Sequence, residues 1–160
     1  MTAPNNPAAP ILIVAATPQH VEQIAPLFDA YRQFYQQPAD LPQARDFLTR
    51  RLSRGESVIF LALAGAADEA LAVGFTQLYP MFSSIAMRPA WLLNDLYVAP
   101  RARSRGVGAA LLTRAREFAV GTGASEMMLQ TAVTNQVAQR LYTGLGWIRD
   151  DEYLTFMLPL

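Results

Sequence analysis

The segment RSRGVG, residues 103–108, places two arginines beside two glycines immediately before an apolar run that predicts a helix. The first amides of a helix lack intrahelical acceptors, and the aligned peptide dipoles add about half a positive charge at that end. Gly106 and Gly108 would let an anion approach the backbone, and Arg103 and Arg105 could add charge-assisted hydrogen bonds. This stretch alone does not separate a phosphate site from the charged start of a surface helix.

Residue types that are missing from the chain narrow the possible chemistry. Lysine and cysteine are absent, and His20 is the only histidine. This composition excludes a lysine nucleophile, a Schiff base, the lysine of a nucleotide-triphosphate loop and thiol catalysis. Serine–histidine triads and zinc sites also lose their usual bases or ligands, and we expect no metal. The chemistry must therefore come from carboxylates, tyrosines and the backbone.

The length of the chain indicates one compact domain, and its balanced charge indicates that any cationic site is confined to a small part of the surface. The chain has 160 residues, of which 52% are hydrophobic and 16% are charged, with 13 basic and 13 acidic side chains. Such a balance argues against nucleic acid or an anionic membrane as the main partner. The N-terminus lacks the pattern of a signal peptide, and no apolar run reaches the roughly 20 residues that span a bilayer. We expect a flexible tail over residues 1–10, a single domain over 11–160 and a soluble, cytoplasmic protein.

The elements that must position the reactive groups begin with a strand over 11–15. Thr17-Pro18 predicts the start of an amphipathic helix, and Asp40 predicts the cap of a second helix that ends at Gly55. The next segments are predicted as a hairpin of strands 57–64 and 71–79 with a turn at 65–69, followed by a loop over 80–90.

The second half continues the alternation of strands and helices. The predicted elements are a strand over 91–98, a helix over about 106–120, a short strand over 127–131, a helix from Thr134 or Asn135 through Leu145, and terminal β structure over 147–160. A β-α-β segment requires a parallel crossover, so the sheet should be mixed with helices on both faces. We predict an α/β (α+β) fold with six to seven strands and about four helices.

Two motifs together resemble a known family. A Walker loop would need a lysine, and a dinucleotide fingerprint would need glycine where Leu111 stands. Residues 103–108 instead match the Arg/Gln-x-x-Gly-x-Gly/Ala signature of the GNAT-type, acetyl-CoA-dependent N-acetyltransferases, and they follow the strand segment LYVAP. NQVAQRLYTGLGW, residues 135–147, resembles that family's second motif, Asn-x-x-Ala-x-x-Leu-Tyr-x-x-x-Gly followed by an aromatic residue. The resemblance covers roughly residues 10–160 and implies the GNAT fold.

The resemblance implies a binding site for acetyl-CoA. In similar enzymes the pyrophosphate lies on the backbone amides of the signature loop, and the pantetheine arm pairs with the preceding strand. The matching loop residues here are Ser104, Arg105, Gly106, Val107, Gly108 and Ala109, with Arg103 nearby. The matching strand residues are Leu96, Tyr97 and Val98, and Asn135 matches a residue that contacts the cofactor arm.

Tyr142 matches the tyrosine that, in many similar enzymes, lies beside the sulfur and protonates the departing thiolate. A spacing of seven residues brings Asn135 and Tyr142 nearly onto one helix face, so both could line one groove. The alternative is a core aromatic whose hydroxyl is hydrogen-bonded elsewhere.

The acceptor amine must lose a proton before it can react, and the polar pair Asn94-Asp95 is the candidate group that removes it. Neighbours in a strand point to opposite faces unless a bulge intervenes, and similar enzymes have a bulge here. NDLYV, Trp91 and GFTQLYPMFSS resemble polyamine-type acetyltransferases, whose spermidine/spermine branch has Glu-Asp at this pair, with the glutamate removing the proton through water. Asparagine cannot be a base. Either Asp95 substitutes, water suffices, or the acceptor differs; Asp95 could also be a structural carboxylate.

Aromatic residues of the first helix and at the loop after the hairpin could form a wall that suits a cationic or aromatic amine, although such residues are often core. They are Tyr31, Phe34, Tyr35, Tyr79 and Phe82. The resemblance implies direct acetyl transfer to a primary amine in a ternary complex, with a small molecule such as a polyamine as acceptor, and a possible homodimer. The alternatives are a protein or peptide N-acetyltransferase and a non-catalytic acyl-CoA-binding module.

Overall fold

The computed structural model describes residues 10–65 and 70–160. The predicted tail lies outside the described residues except for Pro10, and so do residues 66–69 of the predicted turn. The described chain forms two compact units, one reaching to Leu129 and the other running from Gln130 to Leu160. The single domain over 11–160 stays a prediction.

The first unit contains a five-stranded sheet whose spatial order follows the chain. Its strands are β1 (Ile11–Ala15), β2 (Val58–Ala64), β3 (Leu71–Ser83), β4 (Arg88–Val98) and β5 (Met127–Met128). The first four strands pair antiparallel, and β5 pairs parallel to β4. The predicted mixed α/β class is confirmed, with five strands in the described chain rather than six to seven.

The described residues form four α-helices. They are α1 (Val21–Phe34), α2 (Leu41–Ser53) and α3 (Val107–Gly121) in the first unit, and α4 (Gln136–Gly144) in the second. Asp40 caps α2 as predicted, because its Oδ1 accepts the backbone N–H of Gln43 at 3.0 Å. None of the described helices has both the length and the apolar character needed to cross a membrane.

Both faces of the sheet are covered because side chains of a strand alternate between them. Ile59, Leu61 and Phe75 belong to the core that α1 and α2 cover. On the other face, the ring of Phe60 packs 5.6 Å from Phe118 of α3. Gly74 faces α3, where a Cβ would lie 3.4 Å from side-chain atoms of Val107 and Leu111 and only 2.8 Å from the carbonyl oxygen of Tyr97 in β4. The sheet is therefore a rigid support for groups placed on β3 and β4.

The predicted loop over residues 80–90 is wrong, because β3 and β4 continue through it to a turn at 84–87. Two prolines suggested a loop, yet neither interrupts a ladder bond. Pairing of β2 with β3 ends at Leu78, so Pro80 lies where the outer edge of β3 is free of β2. Pro89 directs its carbonyl away from β3, accepting the Ser125 N–H at 2.8 Å, and its nitrogen points to that same side.

The predicted terminal β structure over 147–160 is also wrong. No residue of this segment belongs to a strand in the described chain, and the predicted strand over 127–131 is shortened to Met127–Met128. The apolar composition favours a strand, but a strand also requires a neighbour for its N–H and C=O groups. The second unit thus contains α4 and an irregular, mostly exposed C-terminal segment.

Candidate active site

A β-bulge at Asn94 shapes the centre of the site. Gln77 pairs with Asp95 across the β3–β4 ladder, whereas the next residue of β3, Leu78, pairs with Leu93. Asn94 is therefore the extra residue on β4, as the resemblance implied. Asn94 is exposed, and Asp95 is only 4% exposed. The bulge thus decides which member of the polar pair enters the interior.

Three neutral donors hold the carboxylate of Asp95 inside the protein. Gln77 donates through Nε2 to Oδ2 at 2.7 Å, Asn94 donates through Nδ2 to Oδ1 at 3.1 Å, and the hydroxyl of Tyr31 from α1 also hydrogen-bonds Asp95. Burial raises the pKa of the Asp95 carboxyl, and these hydrogen bonds oppose the rise. A carboxylate with a raised pKa is a stronger base than an exposed aspartate.

Tyr79 belongs to the same polar group. Burial raises the pKa of its hydroxyl to about 12, and the negative charge of Asp95 adds to the rise. The guanidinium of Arg51 and a hydrogen bond with Gln77 act in the opposite direction. Tyr79 therefore stays protonated at neutral pH, and it can serve as a hydrogen-bond donor rather than a base.

Three of the predicted acceptor-binding aromatics come together at the end of α1. The rings of Tyr31 and Tyr35 lie 5.1 Å apart, and those of Phe34 and Tyr35 lie 5.2 Å apart. Tyr31 packs against the core, while Phe34 and Tyr35 remain exposed. Tyr31 thus connects the exposed aromatic pair with the buried carboxylate.

Phe82 does not join this group. It follows Tyr79 by three residues, so strand alternation turns its side chain to the opposite face of the sheet. Its side chain is 83% exposed. The predicted wall of five aromatic residues is therefore not assembled as one surface.

Residues 96–98 of β4, which are predicted to pair with the pantetheine arm, lie at a partly open edge of the sheet. On the side of β5, the ladder of β4 is limited to Trp91 and Leu92. Residues 96–98 continue beyond that pairing, as a strand-like cofactor arm would require. Arg103 returns to this edge, because its Nε donates to the carbonyl oxygen of Val98 at 3.0 Å and its guanidinium lies 5.9 Å from the centre of the Tyr97 ring.

The signature loop joins a short 3-10 turn, Pro100–Ala102, to the first residue of α3. Ser104 and Gly106 have φ angles of 59° and 77°, both in the left-handed region. No side chain of the described residues caps α3, whose first turn includes Val107 and Gly108. A Cβ built on Gly106 would meet no atom within 4 Å. An exposed helix start with open space beside it fits the anionic pyrophosphate of CoA.

Asn135 and Tyr142 lie in the second unit, at the two ends of α4. Asn135 is the N-cap, and its Oδ1 accepts the backbone N–H of Ala138 at 3.2 Å. Tyr142 is half-buried, and its ring centre lies 6.1 Å from that of Trp147. The predicted helix is confirmed, with Asn135 rather than Thr134 as its cap.

Sequence reasoning missed Gln77 and Thr76, which hold Asp95 from β3. Thr76 is fully buried and donates through Oγ1 to the backbone oxygen of Asp95 at 2.9 Å. The signal in the sequence was the presence of these two polar residues inside the apolar segment GFTQLY. The sequence did not identify their partner, because the partner depends on how β3 and β4 pair across the bulge. Among residues 10–65 and 70–160, no three His, Cys, Asp or Glu side chains form a group that could hold a metal ion.

The mixed sheet, the uncapped helix start after β4 and the buried carboxylate of Asp95 agree with the class of proteins that the sequence motifs resemble, the acetyltransferases. The family model described as "Acetyltransferase (GNAT) family" matches residues 22–147. This chain belongs to the GNAT acetyltransferase family and is an acyltransferase. Acetyltransferases of this family use acetyl-CoA as the acetyl donor.

Similar proteins include enzymes named as acetyltransferases. An uncharacterized N-acetyltransferase of Bacillus subtilis (strain 168), YhfO, is 44% identical over 135 residues, covering 84% of this chain and 88% of its own. A solved structure titled as a probable acetyltransferase is also 44% identical, with a TM-score of 0.87 and coverage of 93% of this chain and 97% of its own. An aminoglycoside N(6')-acetyltransferase type 1 of Klebsiella aerogenes is 29% identical over 117 residues, covering 72% of this chain and 74% of its own.

Proposed function

We propose that this enzyme transfers the acetyl group of acetyl-CoA directly to a primary amine of a small molecule, such as a polyamine or a related amine. The observation that carries the proposal is the buried carboxylate of Asp95, which lies behind exposed aromatic side chains at the end of α1. A carboxylate and aromatic faces both attract a cationic amine. The similarity to a relative named for acetylating aminoglycosides supports a small, amine-bearing acceptor.

The start of α3 and the edge of β4 would hold the acetyl donor. The backbone amides of residues 104–109 would bind the pyrophosphate, with Arg103 nearby, and the backbone of residues 96–98 would pair with the pantetheine arm. The bound donor supplies a thioester that an amine can attack. Arg103 already contacts the Val98 carbonyl, so its side chain would move to the pyrophosphate when that carbonyl pairs with the arm.

Asp95 would act as the base that prepares the amine. An alkyl amine with a pKa near 10 is mostly charged at neutral pH, and only the neutral nitrogen can attack a carbonyl. The carboxylate takes one proton, the N–H electron pair stays on nitrogen, and the nitrogen then forms the new bond to the acetyl carbon while the C–S bond breaks. The second proton that nitrogen loses as the amide forms would restore the hydroxyl of Tyr142 after it has protonated the thiolate. Asn94 cannot accept the proton, but its amide holds Oδ1 of Asp95 in place.

Tyr142 would complete the transfer by giving its hydroxyl proton to the departing thiolate. This role and the contact of Asn135 with the cofactor arm rest on the match to the family motif. Tyr31, Phe34, Tyr35 and Tyr79 would contact the acceptor, whereas the position of Phe82 offers no support for such a contact. A cytoplasmic location and a homodimer stay predictions.

A thiol-release screen tests the proposed function. Purified protein and acetyl-CoA are mixed with polyamines, aminoglycosides, arylamines, amino acids and peptides, and free CoA thiol is measured with a colorimetric reagent. The proposal requires release above the hydrolysis background with at least one small amine. Release only with peptides would identify a peptide acetyltransferase, and binding of CoA without any release would indicate a non-catalytic module.

A further inference from the structure

Gln77 is a fully buried polar side chain at the centre of β3, and the catalytic steps above do not employ it. Its Nε2 is used, because it donates to Asp95 Oδ2 at 2.7 Å. Its Oε1 is buried and has no hydrogen-bond partner among the described residues. An unpaired buried amide oxygen costs free energy, so its presence next to a reactive carboxylate requires an explanation.

The groups around Asp95 explain why the amide of Gln77 directs its donor, rather than its acceptor, at the carboxylate. The titratable groups that face the carboxylate are the hydroxyls of Tyr31 from α1 and Tyr79 from β3, and the guanidinium of Arg51 on α2 reaches Tyr79. The groups bonded to Asp95 are all arranged as donors, which suits an ionised carboxylate. Directing Oε1 at the carboxylate instead would bring two acceptors together, so Asp95 determines the orientation of the amide even though Oε1 then has no partner among the described residues.

We propose that Gln77 is a positioning residue that keeps the Asp95 carboxyl group ionised and holds it in the orientation needed to take a proton from the amine. A donor to the charged form that is held on the neighbouring strand favours ionisation without adding a second charge. The inference rests on the proposed role of Asp95 as the base.

The proton balance of the step is simple. An N–H bond of the ammonium breaks, its electron pair stays on nitrogen, and an O–H bond forms on Asp95. The carbonyl oxygen of the resulting carboxylic acid can still accept from Nε2 of Gln77, so the carboxyl group need not change rotamer.

Two substitutions of Gln77 and one matched control separate this role from simple packing. Gln77→Leu removes both the donor and the acceptor, and Gln77→Glu replaces the amide by a second carboxyl group of the same shape. Thr76→Val is the control, since Thr76 is the preceding residue of β3, is equally buried and bonds only the backbone oxygen of Asp95. If Gln77→Leu does not fold, Gln77→Met, which keeps an unbranched side chain, takes its place.

The titration of Asp95 is followed in the full chain by the carboxyl carbon signal in NMR, alongside the pH dependence of kcat/KM for the amine. Loss of a donor to the charged form raises the pKa of a carboxyl. We expect Gln77→Leu to move the NMR midpoint and the acidic limb of the rate profile upward by about one pH unit. Gln77→Glu should move them further because of like charge, and Thr76→Val should move neither.

Equal midpoints in Gln77→Leu and the unchanged protein would overturn the proposal, and so would equal shifts in Gln77→Leu and Thr76→Val. The NMR titration needs no turnover, so it tests Gln77 even if no amine releases thiol. A failed thiol-release screen with the expected midpoint shift would reject the acetyl-transfer role of Asp95 alone. An active enzyme whose midpoint does not move would reject the role of Gln77 alone.

Discussion

Gln77 and Asp95 are direct partners in the β3–β4 ladder, and the side-chain amide of one donates to the carboxylate of the other at 2.7 Å. The bulge at Asn94 follows immediately and leaves Asp95 on the inner side of β4. Groups carried by two paired strands are held more precisely than groups on loops. The candidate base is therefore fixed by the sheet itself.

Asp95→Asn should raise stability at neutral pH while it lowers activity. Burial raises the pKa of Asp95 in the folded state above its value in the unfolded state. Its favourable contribution to the free energy of unfolding is therefore full below the unfolded-state pKa and is lost as pH rises through the folded-state pKa. Asparagine is neutral at every pH. The Tm of the variant should therefore exceed that of the unchanged protein at about pH 8, and this difference should shrink towards about pH 4. Turnover should fall by about 100-fold or more.

Thermal unfolding across this pH range is the measurement for Asp95→Asn, with Asp46→Asn as the control. Asp46 is an exposed carboxylate of α2 that pairs with Arg50. A Tm gain that is the same at both ends of the pH range would contradict the proposed cost of burying the charge.

Tyr142→Phe should lower turnover by about 100-fold and leave the Kd for acetyl-CoA nearly unchanged, because only the proton donated to the thiolate is removed. Single-turnover kinetics and calorimetric titration measure the two quantities. Tyr153→Phe, at an exposed tyrosine of the same unit, should alter neither. An unchanged rate in Tyr142→Phe would remove Tyr142 from the acid role.

Gly108→Asp should weaken acetyl-CoA binding without harming the fold. An acidic residue in the first turn of α3 interacts favourably with the helix dipole, by about 0.3–1 kcal/mol, so Tm should hold or rise. The same charge would repel the pyrophosphate and raise the Kd by about tenfold or more. Gly108→Ala adds the Cβ without the charge and should bind more tightly than Gly108→Asp. Equal, undiminished binding in both variants would count against the anion site.

Tyr35→Ala should raise KM for a cationic amine by about two- to fivefold with little effect on kcat, since an exposed cation–π contact contributes about 0.5–1 kcal/mol. Steady-state kinetics with a small amine measure the change. Phe82→Ala, on the other face of β3, should leave KM unchanged. A larger rise in KM for Phe82→Ala than for Tyr35→Ala would show that the acceptor binds elsewhere.

Local sequence signals were sufficient for the helix starts and for the signature loop. Asp40 and Asn135 cap helices because their short polar side chains reach backbone amides within the next turn. The strand ends were harder, because Pro80 and Pro89 suggest a loop unless one knows which side of each strand lacks a ladder partner. The apolar segment 147–160 shows the opposite error, since apolar composition does not supply a neighbouring strand.

The sequence by itself determined what chemistry is possible: lysine and cysteine are absent, residues 103–108 open a helix with glycines and arginines, and residues 135–147 repeat the second motif. These are properties of residue type and short spacing, which survive in any fold that forms the local elements. Only the tertiary structure decided that Asp95 is the buried member of the polar pair and that Gln77, 18 residues earlier, is its partner. Strand register and burial arise from contacts between distant segments, and burial is what raises the pKa of the candidate base.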